Sequence, residues 1–92
     1  MDGNSSDQTI SLAKFVKFRE ERFGGVLFET RSEKVFTLNP TGAAVVREIQ
    51  AGSDQQTINS RLKELFSDQS DSISKDIAVF IDELRTRALI VG

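Results

Sequence analysis

FGGVLFETRSEKVFTLNPTG, residues 23–42, is the stretch on which the fold turns. Val26, Phe28 and Thr30 alternate with Leu27 and Glu29. Beyond a polar break, Phe36 and Leu38 alternate with Val35 and Thr37, again with the period of two that belongs to a β-strand. The spacing predicts a hairpin in which Phe28 faces Phe36 and Val26 faces Leu38, because an even register brings the aromatic residues onto one face. That register leaves Arg31-Ser32-Glu33 as the loop, without a Gly or Asn for a left-handed position. Gly24-Gly25 allows a bulge or a close approach of backbone. Asn39-Pro40 ends the second strand: the residue before Pro is held extended, and Pro suits the first turn of a helix.

Upstream, Met1 to Thr9 is polar and acidic, with too little apolar surface to offset the entropy of ordering it. We read residues 1–10 as a mobile tail and 11–92 as a single domain. Lys14 to Arg19 predicts an earlier strand with Val16 and Phe18 on one face, followed by a charged connection at Glu20-Glu21-Arg22.

Downstream, Asn39 or Thr41 caps a helix whose Gly42, Val45, Val46 and Ile49 form one face, with Gly42 drawing it close to the sheet. Ala51-Gly52 stops it. Ser53 to Gln56 offers a Ser-x-x-Gln capping box for a second helix, with an apolar stripe at Ile58, Leu62, Leu65 and Phe66. Ser67 to Ser72 reads as a polar loop. A third helix carries Ile73, Ile77, Phe80, Ile81 and Leu84, and Ala88 to Val91 pins the end of the chain to the core. The predicted fold class is α+β, a three-stranded antiparallel sheet followed by three helices, in the outline of a winged helix-turn-helix.

Composition narrows the chemistry. The chain has 92 residues, 38% of them apolar, seven Phe, and neither Cys nor His. No disulfide, thiolate nucleophile or imidazole base is available, and the commonest metal ligands are missing. The remaining carboxylates, such as Asp76, Asp82, Glu83, Glu20 and Glu21, sit at spacings expected of solvated surface. No phosphate-loop pattern follows Gly24-Gly25. These features predict a protein that is not an enzyme and holds no metal or cofactor. The net charge of −2, the short apolar runs and the polar start predict a cytoplasmic chain with no membrane partner. Lys14, Lys17, Arg19 and Arg22 cluster before the hairpin, so a winged-helix DNA-binding regulator is the alternative. The third helix balances its basic and acidic residues, which disfavours a nucleic-acid partner. An unpaired sheet edge at Lys34, Val35, Phe36, Thr37 and Leu38 would accept an extended peptide as an added strand, or serve only as core hairpin with its edge covered.

Three runs, FREERFGGVLFE (18–29), KVFTLNPTGAAV (34–45) and DIAVFIDELRTRALI (76–90), together resemble the PqqD family of peptide chaperones. The Leu38-Asn39-Pro40-Thr41-Gly42 junction and the ending built on Asp76, Phe80, Leu84, Leu89 and Ile90 carry most of the likeness. It spans about Phe15 to Val91. Residues 19–25 are similar to members that accompany radical-SAM maturases. The resemblance implies a recognition element for ribosomally made and post-translationally modified peptides. Such an element binds the leader of a precursor peptide by strand addition and presents it to a radical-SAM enzyme. It implies that the leader pairs antiparallel with Lys34 to Leu38 and lies against one flank of the third helix. Helical geometry leaves two flanks, one with Ser74, Ala78 and Arg85, the other with Asp76, Glu83 and Arg87. We place the groove on the first, at Ala78, Ile81, Asp82 and Arg85. A monomer or weak dimer is expected.

Overall fold

The computed structural model describes residues 10–66 and 72–92; all of the expected 1–10 tail but Ile10, and all but the last residue of the 67–72 loop, lie outside them, and Ile10 is buried in the core rather than part of a tail. The order is β1 (Ser11–Leu12), β2 (Val16–Glu21), β3 (Gly24–Glu29), β4 (Lys34–Leu38), α1 (Pro40–Gln50), α2 (Gln55–Leu65), α3 (Ser72–Thr86) and β5 (Ile90–Val91). β2, β3 and β4 form an antiparallel sheet in that order, and α1 packs on β3. This is the α+β class expected, and it is consistent with the winged helix-turn-helix outline. One addition was not anticipated: β1 pairs antiparallel with β5, Leu12 opposite Ile90, as a separate two-stranded sheet. The closing segment is therefore held to the start of the domain, with Leu89 and Ile90 buried.

The register of the central hairpin differs from the expected one by a single residue. Phe28 faces Val35, Leu27 faces Phe36 and Gly25 faces Leu38. Because a one-residue slip exchanges the faces of a strand, Leu27 rather than Phe28 enters the core. Leu27 is fully buried, whereas Phe28 and Val35 are 36% and 58% exposed on the outer face. Volume explains the choice. Val16 and Phe18 from β2 and Phe36 and Leu38 from β4 already share the inner face with Leu27, packed against α1. Gly25 sits on this face too: a Cβ there would come within 2.7 Å of the Phe18 ring. Gly24 is the close approach foreseen, with φ +141° and space for a Cβ only 2.1 Å from the Leu38 carbonyl oxygen. Glu20 and Glu21 belong to β2, so the β2–β3 turn is only Arg22-Phe23.

Asn39 caps α1, its Oδ1 accepting from the Gly42 N–H at 2.8 Å. Gly42 is close not to the sheet but to α3, where a Cβ would stand 3.2 Å from the Phe80 ring. The cap of α2 is Asp54, one residue later than the Ser53 box: its Oδ1 accepts from the Thr57 N–H at 2.8 Å, while Ser53 donates to Glu48. Of the α2 stripe only Ile58 and Leu62 are buried; Leu65 and Phe66 are exposed. α3 buries Ile73, Ile77, Ile81 and Leu84 as expected. Each such side chain contributes about 1.5–3 kcal/mol through burial.

Candidate functional site

β4 is an edge strand, and its backbone shows which groups are free. The Thr30 N–H donates to the Phe15 carbonyl at 2.9 Å, continuing the β2–β3 ladder. The pairs Lys17–Phe28 and Arg19–Val26 fall in the same phase, so even-numbered residues of β3 bond β2. Odd-numbered residues of β3 then bond β4 through Lys34, Phe36 and Leu38. Alternation turns the N–H and C=O groups of Val35 and Thr37 to the open side, where, among the described residues, no strand pairs with them.

A groove follows this open side. Its middle section, about 280 Å³, lies between β4 and Phe80, Glu83, Leu84 and Arg87, with Leu89 as a further wall. Toward Asn39 it continues into a hollow of about 200 Å³ that shares Phe80 and reaches Asp76 and Gly42. Toward the β3–β4 loop it opens into a hollow of about 530 Å³ that shares Phe36, Arg87 and Leu89 and adds Glu29, Arg31, Ser32, Lys34 and Ala88. The floor is apolar and aromatic; charges stand at the rims.

Of the residues expected from sequence, Lys34, Val35, Phe36, Thr37 and Leu38 all line this groove. Those expected on α3 do not. Ile81 is fully buried beneath the helix. Ala78, Asp82 and Arg85 lie on the flank turned away from β4, and Arg85 donates to the Gly92 carbonyl from Nε (3.1 Å) and from a terminal nitrogen (3.0 Å). The flank facing β4 is the other one, with Glu83 and Arg87 and with Phe80 between them and the core. Periodicity identifies both flanks equally. Choosing between them requires knowing on which side of β4 the helix passes, which no local pattern contains.

The β3–β4 loop is built around Glu29. Its Oε1 accepts from the N–H (2.7 Å) and the hydroxyl (2.9 Å) of Ser32, and its Oε2 lies 3.3 Å from Arg31 Nε. The loop is Thr30 to Glu33, with Glu33 in the left-handed region at φ 61° despite having no glycine. Its N–H donates to the Glu29 carbonyl at 2.8 Å. The Ser32 backbone bond, aided by the Ser32 hydroxyl and Arg31, holds the Glu29 carboxyl below its ordinary pKa. The Thr57 N–H does the same to Asp54. Both shifts favour the ionised form, the opposite of what a carboxylic general acid needs. Among the described residues, no three His, Cys, Asp or Glu side chains gather to hold a metal, and no helix is long and apolar enough to cross a membrane. The arrangement is suited to binding an extended backbone.

Residues 24–90 match the family described as coenzyme PQQ synthesis protein D (PqqD). The fold is similar to that of TbiB1, solved in complex with the TbiA(beta) leader peptide. The two share 17% identity at a TM-score of 0.80, over 89% of this chain and 95% of that one. It is also similar to a lasso peptide synthetase B1 complexed with its leader peptide, with 21% identity and a TM-score of 0.73 over 90% and 98% of the two chains. A search among curated proteins found no match.

Proposed function

The chain belongs to the PqqD family, and from that premise we propose that it captures the leader of a ribosomally made precursor peptide and hands it to a maturase. The leader adds to β4 as a fourth, antiparallel strand. Its backbone bonds Val35 and Thr37, and its side chains occupy the groove against Phe80, Glu83 and Arg87. The observation that carries this reading is the open edge of β4 lying along an apolar groove, a pairing of features that suits β-augmentation. Two relatives in fold were solved with leader peptides bound, which supports the same use here.

The protein itself does no chemistry in this reading. It works in the cytoplasm beside a radical-SAM enzyme and raises the local concentration of substrate there, to roughly millimolar. Duplex DNA has less support, because Arg85 and Arg87, at and just beyond the end of α3, each lie 3.7 Å from a carboxylate of that helix, Asp82 and Glu83. A recognition surface needs unmatched cations.

Titration of a labelled precursor leader, followed by amide chemical shifts, tests the proposal. Shifts concentrated on Lys34–Leu38 and on the Phe80–Arg87 side of α3 are expected; absence of binding to every precursor encoded beside the gene overturns it. Val35→Pro removes one open-edge N–H without touching the β3 ladder, so leader affinity is expected to fall about tenfold with the fold retained. Unchanged affinity in that variant argues against strand addition.

A further inference from the structure

We infer that the hollow at the Lys34 end of the groove selects an acidic side chain, so that the peptide carries Asp or Glu four residues after an apolar one. The inference rests on the strand-addition reading and names the ligand chemistry of one of its subsites. Three cations, Arg31, Lys34 and Arg87, stand around this hollow, with Phe36 and Leu89 between them. Its one carboxylate, Glu29, is already occupied: Ser32 donates twice to one oxygen, and Arg31 sits 3.3 Å from the other. Arg87 lies 3.7 Å from Glu83, its guanidinium 5.4 Å from the centre of the Phe36 ring. Lys34 has no carboxylate within ion-pair distance among the described residues. Arg31 thus has Glu29 beside it and Arg87 has Glu83, from outside the hollow, so Lys34 supplies the unmatched charge.

Strand geometry fixes the spacing. In a segment antiparallel to β4, the side chains opposite Leu38, Phe36 and Lys34 project to the α3 side, two residues apart. The first meets the Phe80 hollow, where an apolar side chain packs on Phe80, Val45 and Ile77, with Asn39, Thr41 and Asp76 completing the lining. The third, four residues later, enters the hollow at Lys34. A carboxylate there gains a cationic partner in Lys34; a Lys or Arg there meets like charge.

Selection of a displayed library of random short peptides on the full-length protein tests this, with the tightest peptide then synthesised and fluorescently labelled. The expected result is enrichment of Asp or Glu at the fourth residue after an apolar position. Lys34→Glu is expected to weaken the selected peptide about tenfold, and replacing its acidic residue by Lys to restore binding to that variant. Selected peptides that protect the Val35 and Thr37 amides yet show no acidic position, or no rescue, overturn the inference and leave strand addition standing. A selection that yields no peptide protecting those amides overturns both.

Discussion

At φ 59°, Ala88 holds a left-handed conformation that costs an alanine about 1–2 kcal/mol. It does so because α3 ends as α1 does. In α1 the Ser53 N–H reaches back to Glu48 and the Gly52 N–H to Ile49; in α3 the Leu89 N–H reaches Leu84 and the Ala88 N–H reaches Arg85. Both are Schellman closures, with Gly52 at the left-handed position of one and Ala88 at that of the other. Ala88→Gly is therefore expected to stabilise the chain by about 1 kcal/mol after allowing for the greater chain entropy of glycine. In a domain of this size that raises the thermal midpoint by about 4–8 °C, and an unchanged or lower midpoint would refute the assignment. Asp54 gives a pH-dependent counterpart. Its pKa is lowered in the fold by the Thr57 N–H, so the unfolded chain takes up the proton first. The cap's contribution is fully present above the ordinary value of 3.8 and is lost as pH falls through the lower folded value. Asp54→Asn, which keeps the cap without the charge, should flatten this part of a stability profile measured by urea denaturation from neutral pH into acid.

At the scale of elements, periodicity and punctuation made the three sheet strands and all three helices legible. The Asn39-Pro40 junction, the stop at Gly52 and the buried faces of α1 and α3 follow from local chemistry alone. What escaped was relative placement. The hairpin register was missed because Phe28 and Leu27 are both apolar, so either face of β3 reads as a core face; packing against Phe18, Phe36 and α1 decides it. The loop escaped because Glu33 takes the left-handed position without a Gly or Asn to announce it. The α3 flank was missed for the same kind of reason, since handedness of passage is a tertiary property. Gly24 links these questions. Its missing Cβ lets the start of β3 lie against Leu38 and Asn39, where β4 gives way to α1. Gly24→Ala forces carbon into that backbone and into a positive φ, so a loss well above 1 kcal/mol is expected. The accompanying readout is amide exchange: protection should fall first at Gly25 and Leu38, the pair nearest the clash. Uniform loss across the sheet would contradict a local role.

At the scale of the whole molecule, the groove depends on how the two ends of the described chain are joined. β1 and β5 pair across almost the full sequence, and the Ala13 N–H donates to the Leu89 carbonyl at 2.9 Å. Leu89 is at once a core residue and a wall of two of the three groove sections. A contact far from β4 in sequence therefore shapes the space beside it. Ile90 lies next to Leu89 and is buried, as is Ile58 on α2, a helix that contributes no residue to the groove. Truncating either to Ala is expected to cost about 2–5 kcal/mol in urea denaturation. Only Ile90→Ala should also weaken peptide binding, measured at a temperature where both variants remain folded and corrected for the folded fraction. Equal affinities would mean that the clamp stabilises the domain without shaping the site. A selective loss would show that the second sheet, two residues on each side, sets the position of the groove wall that β4 alone does not define.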